Sequence, residues 1–214
     1  MVAAGSHSPC MDLSVASMGE NGPMSGEIWL VVGVQAAGKS TTADLLARQF
    51  ELGVHVRGGE FYRWGVRGWA HHDDERRSEA RRHLDLRYRL SAQVADEYCA
   101  EGFTTVVQDN LYGEDVVAWL QRVHARPRHL VVLRPSIEVV RQREEGRLRA
   151  IGKVAYREGG VTIEELDGFL GTIPKIGLWL DTSAQSALET VVEILRRRSE
   201  ARVDDALGKL PAMG

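Results

Sequence analysis

Gly33-Val34-Gln35-Ala36-Ala37-Gly38-Lys39-Ser40 fits the pattern G-x-x-x-x-G-K-[ST] at every fixed position. No other stretch narrows the fold so far, because such a loop works only between a strand and a helix. Its backbone N–H groups wrap the α- and β-phosphates of a nucleotide. Gly33 and Gly38 let the chain turn where a side chain would block the phosphates. Lys39 reaches the β- and γ-phosphates, and the Ser40 hydroxyl is placed for Mg²⁺. Val34, Gln35, Ala36, Ala37 and Thr41 complete the expected cradle. The flanks agree. Ile28-Trp29-Leu30-Val31-Val32 is a short β-rich apolar run, which predicts a buried strand. From Thr41 to Phe50, Leu45, Leu46, Gln49 and Phe50 recur at helical spacing. The positive end of that helix then faces the phosphates.

The chain has 214 residues, 43% of them hydrophobic, which fits one α/β domain with one sizeable core. A net charge of −3 gives no sign of a nucleic-acid or membrane partner. Cys10 and Cys99 are far apart and lack metal-ligand spacing, so a reduced, cytoplasmic protein is expected. The first strand's apolar run is far shorter than the ~20 residues of a membrane span. Residues 1–26 are rich in Gly, Ser, Ala and Met without a hydrophobic period, and read as a disordered leader. Residues 201–214 read as a flexible tail, leaving 27–200 as the single domain.

Short apolar runs alternate with helical stretches, which predicts a parallel sheet covered by helices. Further strands are expected at Val54-His55-Val56, Thr104 to Gln108, His129 to Leu133 and Leu178-Trp179-Leu180. The charged stretch from about Asp74 to Glu101 should be one long helix or two broken ones. Helices are expected over 113–126 and 136–149. Thr162-Ile163-Glu164-Glu165 reads as a capping box opening a helix over 163–170. Ser186 opens the last helix.

In an open parallel sheet the ligand lies beyond the carboxyl ends of the strands. After the second strand comes Gly58-Gly59-Glu60, and after the third Asp109-Asn110. Phosphoryl transfer to a hydroxyl needs a carboxylate near the acceptor proton. Glu60 is the first candidate for that base. Asp109 competes for the role, and also stands where a carboxylate would hold Mg²⁺ through water. Arg141, Arg143, Arg147 and Arg149 crowd one helix, with Gly146 and Gly152 suggesting a mobile lid over about 141–155. Arg143 and Arg147 share a face at i, i+4, and one of them should neutralise charge on a transferring phosphoryl group. The alternative is a solvated face laced with Glu144 and Glu145. Arg63, Trp64 and Arg67 follow Glu60 and suit a flat, sugar-like or phosphate-bearing acceptor, within an acceptor segment of about 60–90. His71-His72-Asp73-Asp74 carries little metal-site weight, because adjacent residues seldom preform a site.

With the loop, Glu60, the arginine-rich lid and the late turn Leu180-Asp181-Thr182-Ser183, the chain resembles the P-loop kinases of small molecules. That group includes gluconate and shikimate kinases, nucleoside monophosphate kinases and chloramphenicol phosphotransferase. The resemblance implies a three-layer α/β/α fold with sheet order 2-3-1-4-5. It implies ATP with Mg²⁺, and an acceptor hydroxyl held by the acid after the second strand, usually Asp and here Glu60. It also implies adenine contacts near Asp181, Thr182 and Ser183. The leading expectation is an ATP-dependent kinase of a small hydroxylated metabolite or antibiotic. A nucleotide or nucleic-acid-end kinase is the second reading. A nucleotide-dependent switch or a sequestering resistance protein is the third, with Gln35 and Gln108 available to position water.

Overall fold

A computed structural model describes residues 26–70, 76–151 and 160–211. The leader up to residue 25, the His71-His72-Asp73-Asp74 run and the distal lid from residue 152 lie outside the described residues.

Strand β1 (Ile28–Gly33) is buried along its whole length and forms the middle of the sheet. It pairs in parallel with β3 (Thr104–Gln108) on one side and β4 (Arg128–Leu133) on the other. Ile28 lies opposite both Thr105 and Arg128, which sets the register. β2 (Gly53–Arg57) pairs with β3, and β5 (Leu178–Leu180) with β4, so the order is β2-β3-β1-β4-β5. β1 and β4 carry unbroken runs of buried residues because helices cover both faces of the sheet. β2, at an edge, is only partly buried.

Helix α1 (Lys39–Ala47) leaves the loop after β1. A short α2 (Glu60–Arg63) follows β2. The charged stretch resolves into one helix, α3 (Arg77–Ala100), which buries Ala80, Leu84, Tyr88, Ala92, Ala95 and Cys99. α4 (Glu114–Arg122) is held to it by a hydrogen bond from Trp119 Nε1 to Ser91 Oγ of 2.9 Å. α4 ends four residues before the sequence pattern suggests. The Asp96 carboxylate accepts the backbone N–H groups of His124 and Ala125, which draws the chain away from the helical path. α5 (Ile137–Ile151) follows β4. α6 (Ile163–Gly171) and α7 (Ala187–Arg196) each open with a reciprocal capping box, Thr162 with Glu165 and Ser186 with Glu189.

Residues 201–211 of the expected flexible tail are instead packed against the sheet. α8 (Arg198–Ala201) and α9 (Asp204–Leu207) place Ala201, Val203 and Leu207 in the core. Arg128, buried at the start of β4, donates from Nε to Asp204 Oδ1 at 2.9 Å and from Nη1 to Leu120 O at 2.6 Å. The Val203 N–H closes the seam on Arg128 O at 3.0 Å. An alternation of polar and apolar residues too short to show a period hid these contacts. Among the described residues no helix is long and apolar enough to cross a membrane.

Candidate active site

All five strands end on the same side, and there the segments after β1, β2 and β3, with Arg87 of α3 and two arginines of α5, line an open cavity of ≈ 520 Å³. The first wall is the loop after β1. Gly38 has φ 97° and forms the N-terminal boundary of α1, a conformation that an L side chain resists. Gln35, Ala36, Gly38, Lys39, Ser40 and Thr41 all line the cavity. No acidic residue occupies the first turn of α1, so its positive end is open to anions.

Lys39 is 7% exposed, and its Nζ donates to Gly33 O and Val34 O at 2.8 Å each. Burial lowers its pKa to about 7, with the nearby Arg87 and Arg147 charges adding to the effect. A neutral amine still has two N–H donors for those two carbonyls, so deprotonation breaks neither bond.

The second wall is built by β2 and β3. Gly58 accepts no side chain, since a Cβ there would lie 1.9 Å from Asp109 Oδ2. This close approach seats Asp109, only 1% exposed, on the cavity floor. Asp109 accepts from Arg87 Nε at 3.1 Å and from its own neighbour Asn110 N at 2.6 Å. Arg87 Nη2 makes a second, tight contact with Asp109 Oδ1. The Arg87 guanidinium lies 4.9 Å over the Tyr62 ring. Burial lowers the Arg87 pKa, with Tyr88 and Tyr62 opposing it. Arginine nonetheless stays charged in proteins.

The third wall is α5. Arg143 and Arg147 both face the cavity, as their i, i+4 spacing implies. Arg143 bridges two backbone carbonyls, Ala37 O at 3.1 Å and Thr182 O at 2.9 Å. It therefore ties the phosphate loop to the turn after β5. Arg147 donates from Nη2 to Glu144 at 2.5 Å, while its buried Nε has no hydrogen-bond partner. Arg141 instead pairs with Glu164, and Arg149 with Glu145 at 3.2 Å on the surface. Those two belong to the solvated face.

Other candidates lie at the rim. Glu60 is at the start of α2 and pairs with Arg63 at 2.6 Å. Gly59 and Arg63 line the cavity, whereas Glu60, Trp64 and Arg67 are not among its lining residues. Trp64 is 69% exposed. In the turn after β5, Asp181 Oδ1 accepts the Ser183 N–H at 2.9 Å, and Ser183 Oγ accepts the Ser136 N–H at 2.8 Å. Thr182 is buried and its Oγ1 has no partner. Sequence reasoning missed Arg87. Its signal was an arginine set among the buried positions 80, 84, 88, 91 and 95 of α3, where solvent-facing charges do not belong.

The Ser40 hydroxyl and the Asp109 carboxylate share this cavity. They are hard oxygen donors of the kind Mg²⁺ takes. Among the described residues no cluster of three His, Cys, Asp or Glu could hold a metal by itself. That donor set fits an ion which completes its shell with nucleotide phosphates and water.

A parallel 2-3-1-4-5 sheet, with a phosphate loop after its central strand and an arginine-bearing helix facing that loop, defines the P-loop kinase fold. The family model of an AAA domain matches residues 28–159, and the chain belongs to that family. The structure is similar to a sugar kinase from a Janibacter species, at 17% identity and a TM-score of 0.56, covering 88% of this chain and 99% of that one. It is similar also to a shikimate kinase from Acinetobacter baumannii in complex with shikimate, at 17% identity and a TM-score of 0.55, covering 83% and 94%. A gluconokinase from Sinorhizobium meliloti matches at 17% identity and a TM-score of 0.52, covering 87% and 99%. No curated protein matches the sequence.

Proposed function

We propose that this protein transfers the γ-phosphoryl group of ATP to a hydroxyl of a small molecule, with Mg²⁺, in the cytoplasm. The observation that carries this reading is a cavity that brings together Gln35, Ala36 and Gly38 to Thr41 of the phosphate loop, a buried carboxylate and two arginines of α5. The buried, unpartnered Nε of Arg147 supports it further, because a phosphate oxygen would satisfy that donor.

In this reading the acceptor oxygen forms a bond to the γ-phosphorus. The bond from that phosphorus to the β,γ-bridging oxygen breaks, and ADP leaves with the electron pair. Lys39 turns from its two carbonyls to the β- and γ-phosphates. Arg147 neutralises charge spreading over the equatorial oxygens. Asp109 is the carboxylate on the cavity floor, so it accepts the hydroxyl proton or orients that hydroxyl, with Arg87 fixing its position. Glu60, at the rim and paired with Arg63, is the second candidate. Arg143 and the Asp181–Ser183 turn hold the nucleotide side of the cavity. Ser40 and Asp109 would hold Mg²⁺, which would supply charge neutralisation to the nucleotide phosphates.

The test is acceptor-dependent ADP release from Mg·ATP across a panel of sugars, hydroxy acids, nucleosides and antibiotics, with mass spectrometry of the product. ADP release that is independent of every acceptor points to a hydrolytic switch and removes the transferase reading.

A further inference from the structure

The carboxylate on the cavity floor is the last member of a line of packed side chains that begins on the segment after α2. Arg87 clamps Asp109 from α3, with Nε 3.1 Å from Oδ2 and Nη2 in tight contact with Oδ1. That guanidinium lies 4.9 Å over the Tyr62 ring, with Tyr88 farther off at 5.9 Å. Tyr62 meets the indole of Trp69 edge-on, at 4.7 Å and 84°. Trp69 in turn meets the His83 ring at 4.9 Å and 73°. His83 and Arg87 share a face of α3 at i, i+4. The order in space is therefore His83, Trp69, Tyr62, Arg87, Asp109.

Trp69 is locked into this line by its surroundings. His83 Nδ1 accepts the N–H of the fully buried Ala70 at 3.0 Å, and Arg76 Nη2 donates to the Trp69 carbonyl at 3.4 Å. Beside the indole is Gly65, where a Cβ would stand 1.0 Å from Trp69 Nε1. The indole can lie there only because residue 65 has no side chain. Trp64 and Val66 of the same segment are 69% and 100% exposed. Trp69 is thus turned inward where its apolar neighbours are left in solvent.

A guanidinium needs its plane fixed, as well as its charge, to keep two N–H groups on one carboxylate. Asp109 fixes the donor edge of Arg87, and the Tyr62 ring fixes its face. A ring that swings away lets the fork rotate, and the carboxylate held by the fork turns with it. Misplacing a reacting group by about 1 Å costs roughly 10² in rate.

We propose that Trp69 is a positioning residue for Asp109, pressing Tyr62 against Arg87 so that the guanidinium fork stays in the plane of the carboxylate. Its effect on turnover rests on the phosphotransferase reading, whereas its effect on Arg87 does not.

The test reads Arg87 itself. In proton–nitrogen correlation spectra of the full chain, the Arg87 Nε–H is identified by its loss in Arg87→Lys. Trp69→Ala should speed the exchange of this proton with water by about tenfold. Trp69→Phe keeps an aromatic edge on Tyr62 and should restore most of the protection. Gly65→Ala keeps every member of the line but drives the indole aside with its new Cβ, so it should act like Trp69→Ala. It decides the matter if Trp69→Ala does not melt as a folded chain. Backbone N–H groups of β1 should keep wild-type exchange in the same samples, since they open with the whole fold. For any acceptor that the panel converts, Trp69→Ala should lower kcat by about tenfold or more, with the KM for ATP unchanged. It should add nothing in the Asp109→Asn background.

The proposal is overturned if Arg87 exchange is unchanged in the folded variants, if β1 exchange rises as much, or if Trp69→Phe fails to restore protection. An equal loss of kcat in the Asp109→Asn background overturns it as well. Unchanged Arg87 exchange with normal turnover leaves the phosphotransferase standing. Faster Arg87 exchange in a chain that converts no acceptor leaves the link from Trp69 to Arg87 and removes the transfer.

Discussion

A buried lysine whose ammonium titrates near neutrality makes nucleotide binding depend on pH. Lys39 has a pKa of about 7 in the protein, chiefly through burial, against about 10.4 in an unfolded chain. Between those values the unfolded chain binds more protons, so the lysine's contribution to stability rises with pH across that window. Below about pH 7 both states are protonated and the cost of the buried charge is felt in full. Wild type should therefore gain melting temperature relative to Lys39→Met from about pH 7 to about pH 10. ATP needs the charged form, so its affinity should fall over the same rise in pH, with proton uptake visible by calorimetry in buffers of different ionisation enthalpy. Lys39→Met should also lose roughly 10² to 10³ in turnover; wild-type turnover in the folded variant would remove the phosphate-loop assignment. The two carboxylates are separated by a second comparison. Asp109→Asn should keep ATP binding and lose roughly 10² to 10⁴ in rate, while Glu60→Gln retains most activity. The reverse pattern would return the base to Glu60. At this scale the sequence was readable where a motif fixes spacing, as at Lys39 and Ser40. It was not readable at Asp109 and Glu60, both acids after strands, because the choice turns on which one α2 carries to the rim. Arg87 was hidden for a related reason. Its partner Asp109 lies 22 residues away, on another element.

Helix α5 presents two arginines one turn apart that have different work to do. Arg143 already spends donors on Ala37 O and Thr182 O, joining the phosphate loop to the turn after β5. Arg147 has a buried donor without a partner. Arg143→Ala should therefore act mainly on nucleotide binding, raising the KM for ATP with a smaller change in kcat. Arg147→Ala should lower kcat by roughly 10² to 10³ with ATP affinity nearly kept, since its contact strengthens as charge develops. Arg147→Lys should rescue poorly, because a lysine is a point charge rather than a planar fork. Steady-state kinetics on the three variants check this, and equal KM and kcat effects at both positions would deny the division of labour. Elements with strong local signals were legible in the sequence. The capping boxes at Thr162 and Ser186 open α6 and α7 as expected, each satisfying two N–H groups through side chains three residues apart. The end of α4 was not legible. It is set by Asp96 on α3, a tertiary partner that no local pattern contains.

At the scale of the whole molecule, the active-site edge of the sheet depends on what closes the opposite edge. Loops beyond the carboxyl ends of the strands are held in part by β4, whose own start is closed at Arg128 by the C-terminal residues. Val203 is fully buried and Leu207 nearly so, and each such side chain contributes about 1.5–3 kcal/mol. Asp204 neutralises the buried Arg128, and breaking a buried pair by removing one partner costs about 3–5 kcal/mol. Burial alone would raise the Asp204 pKa, but the Arg128 side chain and N–H, with Arg202, bring it below its ordinary value. That contribution is present above the unfolded carboxylate's pKa near 4 and is lost as pH falls through the lower folded value. These terms overlap and do not add simply. Even so, they rival the whole 5–15 kcal/mol that keeps a domain folded. A chain ending at residue 201 should therefore fail to melt cooperatively, whereas one ending at residue 211 should melt like the full chain by circular dichroism. Asp204→Ala should fall between them, losing on the order of 10 °C in Tm for a domain of this size. A cooperative melt at the full chain's temperature for the chain ending at residue 201 would mean that α9 only rests on the sheet. The ion pair beneath β4 would then have no part in holding the cavity's floor.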